Sequence, residues 1–248
     1  MERAARIARI GDRVLSAIAA IMILLLFLYG GYSLWDSYMI NKGAFLGGDL
    51  LKYKPASTDG GANYTLEELL KLNPDTRGWL TVDDTHIDYP VVQGETDMDY
   101  INTSIFGEFE LSGSIFLSCL NSPDFSDRYN LVYGHHMDNG GMFGDVLEFV
   151  DAEYFEKHQT GTLFLPDRTY GITIFACMEA DAYDRLIYSP GPEYELQELL
   201  DYLKTSSTQY REIGVSGEDK IIGMSTCKDA ATNGRVILFG RLDLKEQP

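Results

Sequence analysis

Cationic side chains are scarce in this sequence. Its 248 residues contain 20 Lys and Arg against 38 Asp and Glu, which gives a formal net charge of −18 at pH 7. Recognition of nucleic-acid phosphates needs clustered Lys and Arg, so the charge argues against a nucleic acid as the partner. The acidity fits a soluble domain held away from an anionic membrane surface, and it equally serves solubility alone.

Residue pairs that bind metals are also missing. The chain has three Cys and four His, but no C-x-x-C or H-x3-H pair that would supply two ligands from one element. We therefore expect no metal and no other cofactor. Cys119 and Cys177 lie in strand-like runs and are predicted to be buried thiols. A disulfide between them, which an exported domain allows, would leave Cys227 free.

The signatures of two common hydrolase classes are absent as well. The sequence contains no G-x-S-x-G turn, which a serine triad would want. It also lacks a C-G-S-C-W segment, and Cys227 lies near the C-terminus without a downstream His or Asn partner of the papain type. A papain-like protease is therefore a poor match.

A long uncharged run lies close to the N-terminus. Residues 1–13 carry four Arg against Glu2, and Val14–Trp35 contains no charged residue. A span of about 20 apolar residues crosses a bilayer as a helix, and the basic flank stays in the cytoplasm. We predict an uncleaved signal anchor with the rest of the chain outside the cell. The alternative is a cleaved signal peptide, but the run is longer than the usual h-region of about 7–15 residues and no clear A-x-A site closes it.

Three segments are predicted along the chain. Residues 1–35 form a short cytoplasmic tail and the transmembrane helix. Residues 36–62 form a linker, because this part is rich in Gly and contains Pro55. Residues 63–246 form one extracellular domain, which has the size of an ordinary single domain.

Short apolar runs between turn signals dominate this domain, as in an antiparallel sheet. Single strands are predicted at 79–82, 86–92, 113–118, 130–134, 221–227 and 235–242. Two more strands are predicted within 160–180, on either side of a turn at 167–168. Helices are predicted at 141–150, 151–158 and 193–205, and a capping box of Thr65 and Glu68 is predicted to open another. The pattern favours a mainly β fold, a closed or nearly closed barrel with peripheral helices.

The stretch Ile221–Leu242 carries the clearest chemical signal. It consists of two apolar runs joined by a polar turn that ends at Asn233-Gly234, so Cys227 ends one strand and Arg235 begins the next. If the strands are neighbours, the guanidinium lies near the thiol, favours the thiolate and can donate hydrogen bonds to an oxyanion. The structural alternative is a buried Cys and a surface Arg.

A nucleophilic Cys usually needs a His that is distant in sequence and near in space. A strand-like run ends at Tyr133 and is followed by Gly134-His135-His136. Adjacent side chains on an extended segment point in opposite directions, so at most one of the two His faces Cys227. The other two, His86 and His158, have polar sequence neighbours and are predicted at the surface.

These residues resemble the pattern of the sortases, membrane-anchored cysteine transpeptidases of Gram-positive bacteria. The pattern consists of YGHHM (133–137), MSTC (224–227) and an Arg that opens the following strand. Four further segments are similar to class B sortases in particular: NPDTRGWL (73–80), IDYPVVQG (87–94), GSIFL (113–117) and MFGD (142–145). The ordered set extends from about Thr65 to Leu242.

The resemblance implies a sortase-type eight-stranded β-barrel with an N-terminal helix, preceded by one transmembrane helix. It also implies a long connection with a helix between the sixth and seventh strands, to which residues 181–219 correspond. The short connection between Cys227 and Arg235 departs from the family and predicts a lower groove wall at that point.

The resemblance further implies an activity. A C-terminal sorting signal similar to LPxTG or NPxTx would be cleaved between Thr and the next residue, and its acyl group transferred to an amine. Cys227 would be the nucleophile and His135 the general acid and base, while Arg235 would stabilise the oxyanion and position the peptide. The partners implied are secreted proteins that carry the signal, and a peptidoglycan cross-bridge or precursor amine or a pilin Lys.

The implied substrate-binding residues match the family one by one: Tyr133, Ser225, Thr226, Asp97, Ile101, Leu186 and Ile187. Two positions depart from the family pattern. Asp97 falls where some class B enzymes have Asn, and SCLN (118–121) replaces a segment similar to D-Y-R-N. The first change predicts a different preference at one position of the signal.

Two functions from other classes are also compatible with parts of the sequence. A non-catalytic module that binds a cell-wall peptide would keep the barrel, but it would be expected to lose at least one of Cys227, His135 and Arg235. A hydrolase that only releases proteins would keep all three and would not depend on an added amine.

Overall fold

The computed structural model describes residues 2–41, 48–55, 63–228 and 232–245. The chain divides into two units, Met1–Lys42 and Gly43–Pro248. The first unit is a single helix, α1 (Glu2–Asn41), and its segment Ala5–Met39 is long and apolar enough to cross a membrane. The helix therefore extends beyond the predicted span at both ends.

The predicted linker is described only in part, since residues 42–47 and 56–62 lie outside the described residues. Within it, a short helix α2 (Gly48–Leu51) is followed by Tyr53, which packs with Leu50 against an apolar cluster of the second unit. Lys54 pairs with Asp88 at 2.6 Å. The three segment boundaries remain a prediction.

Among the described residues of the second unit, nine strands form one sheet: β1 (Thr76–Val82), β2 (Asp88–Val92), β3 (Ile115–Leu117), β4 (Tyr129–Tyr133), β5 (Thr160–Phe164), β6 (Thr169–Asp181), β7 (Gln209–Tyr210), β8 (Ile221–Cys227) and β9 (Gly234–Leu244). Their order is β5-β1-β2-β3-β4-β8-β9-β6-β7, and β5 also pairs with β6. The second pairing closes eight strands into a barrel and leaves the two-residue β7 on its outside. The predicted eight-stranded barrel is confirmed.

Helices lie in the connections between strands: α3 (Tyr64–Leu72), a 3-10 helix (Gly144–Val150), α4 (Ala152–Lys157), α5 (Arg185–Tyr188) and α6 (Leu196–Ser206). The predicted N-terminal helix and the helix between the sixth and seventh barrel strands are therefore present. The latter connection is richer than predicted, because α5 and β7 flank α6 within it.

The capping box predicted for α3 is wrong. The N-cap residue is Asn63, two residues before Thr65, so Thr65 lies inside the first turn of the helix. The side chain of Asn63 makes no capping bond to the helix, and its amide donates instead to the Leu165 carbonyl at 2.6 Å. This bond ties the start of α3 to the turn between β5 and β6, and Leu66 and Leu69 then bury its apolar face.

Strands β4, β8 and β9 are buried on both faces. Val132, Met224 and Leu238 belong to the main core inside the barrel, whereas Leu131 and Ile237 belong to a second cluster that α6 covers. Because successive strand side chains point to opposite faces, a strand covered on both sides needs apolar residues throughout. Each buried aliphatic side chain stabilises the fold by about 1.5–3 kcal/mol.

Asn121 joins the segment after β3 to the start of β4. Its amide nitrogen donates to Asp127 Oδ2 at 2.9 Å and to the Tyr129 carbonyl at 2.7 Å, and its Oδ1 accepts from the Leu131 amide at 2.9 Å. The side chain is buried, with a relative exposure of 5%. These bonds fix the entry into β4.

Substitution Asn121→Ala is expected to lower the free energy of unfolding by about 2–4 kcal/mol, because it leaves several buried polar groups unpaired. Asn102→Ala, at an exposed position, is the matched control and should change it by less than about 0.5 kcal/mol. Urea denaturation of the detergent-solubilised chain measures both. Equal effects of the two substitutions would contradict the assignment.

Candidate active site

Cys227 and Arg235 face each other at one end of the barrel. They are paired residues in the antiparallel register of β8 and β9, where Cys227 is the last residue of its strand and Arg235 the second of the next. Opposed residues of an antiparallel pair project their side chains from the same face of the sheet. The thiol is half-buried. The predicted pairing of the two strands is therefore present in the structure, although residues 229–231 of their connection lie outside the described residues.

His135 reaches the same end of the barrel through a different pairing. Strand β4 runs parallel to β8 with Tyr133 opposite Ser225, and the Gly134 amide continues the ladder by donating to the Ser225 carbonyl at 3.1 Å. Two parallel neighbours end at the same edge, so His135 leaves the sheet beside Cys227. The fold thus joins two sequence motifs that lie far apart in the chain.

The three side chains line one cavity of about 290 Å³. Its lining is mostly apolar and aromatic, with a small number of polar groups, as in sites that bind small molecules or peptides. Five of the residues predicted to bind substrate also line it: Asp97, Ile101, Tyr133, Ser225 and Thr226.

Leu186 and Ile187 are placed elsewhere. Ile187 is fully buried in the cluster under α6, and Leu186 packs partly against that cluster and lines a neighbouring cavity. The next residue of α5, Tyr188, lines the cavity instead. The contact of Leu186 and Ile187 with a substrate stays a prediction.

Tyr188 was missed by the sequence reasoning, since nothing local distinguishes it from its apolar neighbours. Its ring stacks on Tyr133, with centroids 6.3 Å apart and an interplanar angle of 13°, and its hydroxyl lies 3.0 Å from Ser225 Oγ. Burial raises the pKa of Tyr188 to about 12, so the phenol stays neutral at physiological pH. Met98, Phe116 and Ala182 are further lining residues that the sequence did not indicate.

The other His residues lie outside this cavity lining. His136 lies 3.2 Å from Asp138 Oδ1, and His86 lies 3.0 Å from Asp145 Oδ2. His158 was predicted at the surface, and this is wrong, because its relative exposure is 5%. It ends α4 and folds back over Tyr154, with ring centroids 3.9 Å apart, and its Nδ1 donates to the Tyr154 carbonyl.

The two departures from the family pattern contact each other. The Asp97 carboxylate accepts from the Cys119 amide at 2.6 Å and from Ser118 Oγ at 3.3 Å. Gln93 holds the same segment from the other side, since its amide donates to the carbonyls of Ser118 and Asn121. Asp97 and the SCLN segment therefore form one structural unit at the cavity wall. The prediction that Cys119 is a buried thiol is wrong, because it is exposed in this segment, whereas Cys177 is buried as predicted, and both thiols are free.

The NPDT segment (73–76) anchors the loop that contributes Asp97 and Ile101. The Asn73 amide donates to the Ile105 carbonyl at 2.8 Å and to the Tyr100 hydroxyl at 3.0 Å. The Tyr100 hydroxyl in turn donates to Asp75 Oδ2 at 2.8 Å. This wall of the cavity is thus fixed by a motif that lies outside it.

Comparison with known proteins agrees with the geometry. Sortase B of Listeria monocytogenes is 34% identical to this chain over 193 residues, which cover 76% of this chain and 78% of the relative. The crystal structure of Spy0129, a Streptococcus pyogenes class B sortase involved in pilus biogenesis, is 41% identical in sequence and has a TM-score of 0.66. The match covers 72% of this chain and 97% of that one. The Staphylococcus aureus sortase B–substrate complex has a TM-score of 0.69 and 27% identity, over 75% of this chain and 88% of that one.

No protein-family model matches the sequence. The identity and coverage of the relatives nevertheless show the family, and the solved structures share the barrel. The chain belongs to the class B sortases.

Substitution Asp97→Asn is expected to speed the alkylation of Cys119. Burial, followed by the charge and the hydrogen bond of Asp97, raises the pKa of the Cys119 thiol. The isosteric amide removes the charge, so more thiolate is present at about pH 8, and the rate should rise by up to about tenfold per unit of pKa. Mass spectrometry of iodoacetamide-treated protein measures the rate.

Asp99→Asn is the matched control, because the carboxylate of Asp99 accepts from Thr96 instead. Cys177 serves as the internal reference, since burial raises its pKa to about 12 and its thiol is shielded from the reagent. An alkylation rate that is the same in Asp97→Asn and in the wild-type chain would show that Asp97 does not control this thiol.

Proposed function

We propose that this protein is a membrane-anchored cysteine transpeptidase that cleaves a sorting signal similar to LPxTG or NPxTx and transfers its acyl group to an amine. One observation carries the proposal, namely that Cys227, His135 and Arg235 line a single cavity. Membership of the class B sortases supports it.

The first half-reaction forms a thioester. His135 holds the proton of the Cys227 thiol while the sulfur attacks the carbonyl carbon of the Thr residue of the signal, and the carbonyl oxygen becomes an oxyanion. The C–N bond then breaks, and the leaving amine takes a proton from His135.

The second half-reaction restores the enzyme. An acceptor amine attacks the thioester carbonyl and gives its proton to His135, and the C–S bond breaks to release Cys227. The product is a new amide bond. Water can replace the amine, which would release the protein instead of transferring it.

Arg235 supplies positive charge where the reaction develops negative charge. It lies opposite Cys227 in the β8–β9 register, so its guanidinium can donate to the oxyanion at the carbon under attack. The apolar part of the cavity lining lowers the local dielectric constant and so strengthens such a bond. The aromatic wall of Tyr133, Tyr188 and Phe116 offers an apolar surface to the signal.

The acceptor has two candidate chemistries. An amine of the peptidoglycan cross-bridge or its precursor would anchor a surface protein to the cell wall. A Lys of a pilin subunit would instead extend a fibre, and the 41% identity with a class B sortase involved in pilus biogenesis favours this second function. The apolar helix α1, with its basic flank in the cytoplasm, would hold the barrel outside the cell in either case.

Substitution Cys227→Ala is expected to abolish transfer, because no other group can form the thioester. The detergent-solubilised chain is incubated with LPxTG-like and NPxTx-like peptides, with and without an oligoglycine or an Nα-blocked Lys, and products are identified by mass. Cys119→Ala is the matched control, since that thiol lies outside the lining of the cavity.

Each outcome separates one alternative. Transfer that survives in Cys227→Ala would refute the nucleophile. Hydrolysis by the wild-type chain that is indifferent to added amine would indicate a hydrolase. Peptide binding without turnover across the panel would indicate a non-catalytic module.

Substitution Arg235→Gln is expected to lower kcat by about 100- to 1000-fold, the usual loss when one oxyanion donor is removed. Arg235→Lys should fall between this variant and wild type, because Lys keeps the charge but loses the planar fork of donors. Steady-state kinetics on the preferred peptide measure both. A rise in KM with unchanged kcat would mean that Arg235 binds the ground state and the transition state equally and does not stabilise the oxyanion selectively.

A further inference from the structure

The partner of His135 is a peptide carbonyl from a loop. Nε2 of His135 lies 2.8 Å from the carbonyl oxygen of Ile101, in the connection between β2 and β3. A carbonyl oxygen only accepts hydrogen bonds, so the proton of this bond belongs to Nε2. In a neutral imidazole the other nitrogen, Nδ1, then carries the lone pair that can take a proton.

The position of this carbonyl depends on a glycine further along the same connection. Gly113 has φ +59°, in the left-handed region. A Cβ at this position would lie 2.1 Å from the Ile101 carbonyl oxygen and 2.7 Å from the carbonyl oxygen of Tyr100. Both distances are far below van der Waals contact, so any side chain at position 113 must displace the Ile101 peptide.

The rest of the loop resists such a displacement. The Ser114 amide donates to the Tyr100 carbonyl at 3.0 Å, and the Ser114 hydroxyl donates to the Thr103 carbonyl at 2.8 Å. Tyr100 is itself held at its hydroxyl by Asn73 and Asp75. Because these anchors surround the Ile101 peptide, a push from position 113 is passed on toward the ring of His135.

We propose that Gly113 is a positioning residue for His135. By leaving space beside the Ile101 carbonyl, it holds the proton on Nε2 and presents Nδ1 as the nitrogen that exchanges a proton with the amine of the substrate. The tautomer depends only on the loop geometry, whereas the proton exchange rests on the proposed function.

The tautomer is tested on the full chain in detergent micelles with 15N-labelled His. Long-range 1H–15N correlations distinguish protonated from unprotonated ring nitrogens, and a His135→Gln spectrum identifies the signals. In the wild-type chain at a pH where the ring is neutral, we expect the proton on Nε2. In Gly113→Ala we expect a mixture of tautomers or a shift toward Nδ1–H. A wild-type ring with its proton on Nδ1 would overturn the proposal.

Gly107 provides a matched control in the same loop. Its φ is +78°, yet a Cβ there would meet no atom of the described residues within 4 Å. Gly107→Ala therefore brings the same kind of backbone strain without the collision. We expect it to keep the wild-type tautomer and to keep kcat within about twofold of wild type, because strain alone does not move His135.

Transfer kinetics give a second readout. Gly113→Ala should lower kcat by about 100-fold with a small change in KM, since a misplacement of about 1 Å has that effect on a catalytic group. Equal losses in Gly113→Ala and Gly107→Ala, or a wild-type tautomer in Gly113→Ala, would overturn the proposal. Circular dichroism checks that both variants fold, and if Gly113→Ala does not, the wild-type tautomer alone decides.

The two proposals fail separately. A wild-type chain without turnover on any peptide would refute the proposed function, while the position of the His135 proton would still be measured. Normal turnover with the proton of His135 on Nδ1 would refute the proposed positioning role of Gly113 and leave the proposed function intact.

Discussion

The parallel pairing of β4 with β8 sets where the chemistry of this protein can take place. Tyr133 lies opposite Ser225 in that register, so the two chains leave the sheet together, one toward His135 and the other toward Cys227. Strand β9 then adds Arg235 from the other side of β8. The three strands are held in register by burial on both faces, and a slip of one residue would exchange the residues of the barrel core with those under α6. The packing of the barrel therefore also places Cys227, His135 and Arg235, while α5 and the connection between β2 and β3 complete the lining of the cavity.

Much of this arrangement could be predicted from local sequence. Each of Cys227, His135 and Arg235 stands at the end of an apolar run, and a strand end is visible in the sequence as the point where such a run stops. The order of the motifs then supplied the family, and the family supplied the barrel. The errors have a common cause, which is that they depend on side-chain contacts that the polarity of the local sequence does not show. His158 follows a polar helix yet is buried against Tyr154, and Thr65 looks like a helix cap although Asn63, bound to Leu165, has that position. One turn of α5 sends Ile187 into the core and Tyr188 into the cavity, which no pattern of three consecutive apolar residues can reveal.

The two departures from the family pattern are also explained only by a contact that the local sequence does not show. Nothing in the sequence connects Asp97 with the SCLN segment. In the structure, the carboxylate of Asp97 accepts from the Cys119 amide and from Ser118 Oγ, so each departure supplies the partner of the other. An acid at a cavity wall is costly to desolvate unless its oxygens are bonded. The short side chain of Ser118 and the exposed backbone of Cys119 provide those bonds at the wall of the cavity.

A series of contacts leads from a motif at the start of β1 to the imidazole of His135. Asn73 and Asp75 hold Tyr100, the adjoining residue Ile101 presents its carbonyl, and that carbonyl accepts from His135. A peptide carbonyl orients the ring without placing a formal charge at Nε2, in contrast to the carboxylate partner of a serine-protease triad. It also has no rotamers, so its position is fixed entirely by the backbone of its loop. That backbone must be immobile to serve as a partner, which explains why a loop without a long strand of its own is held by so many bonds. The same reasoning explains why space beside the carbonyl matters, because a rigid loop transmits a collision instead of absorbing it.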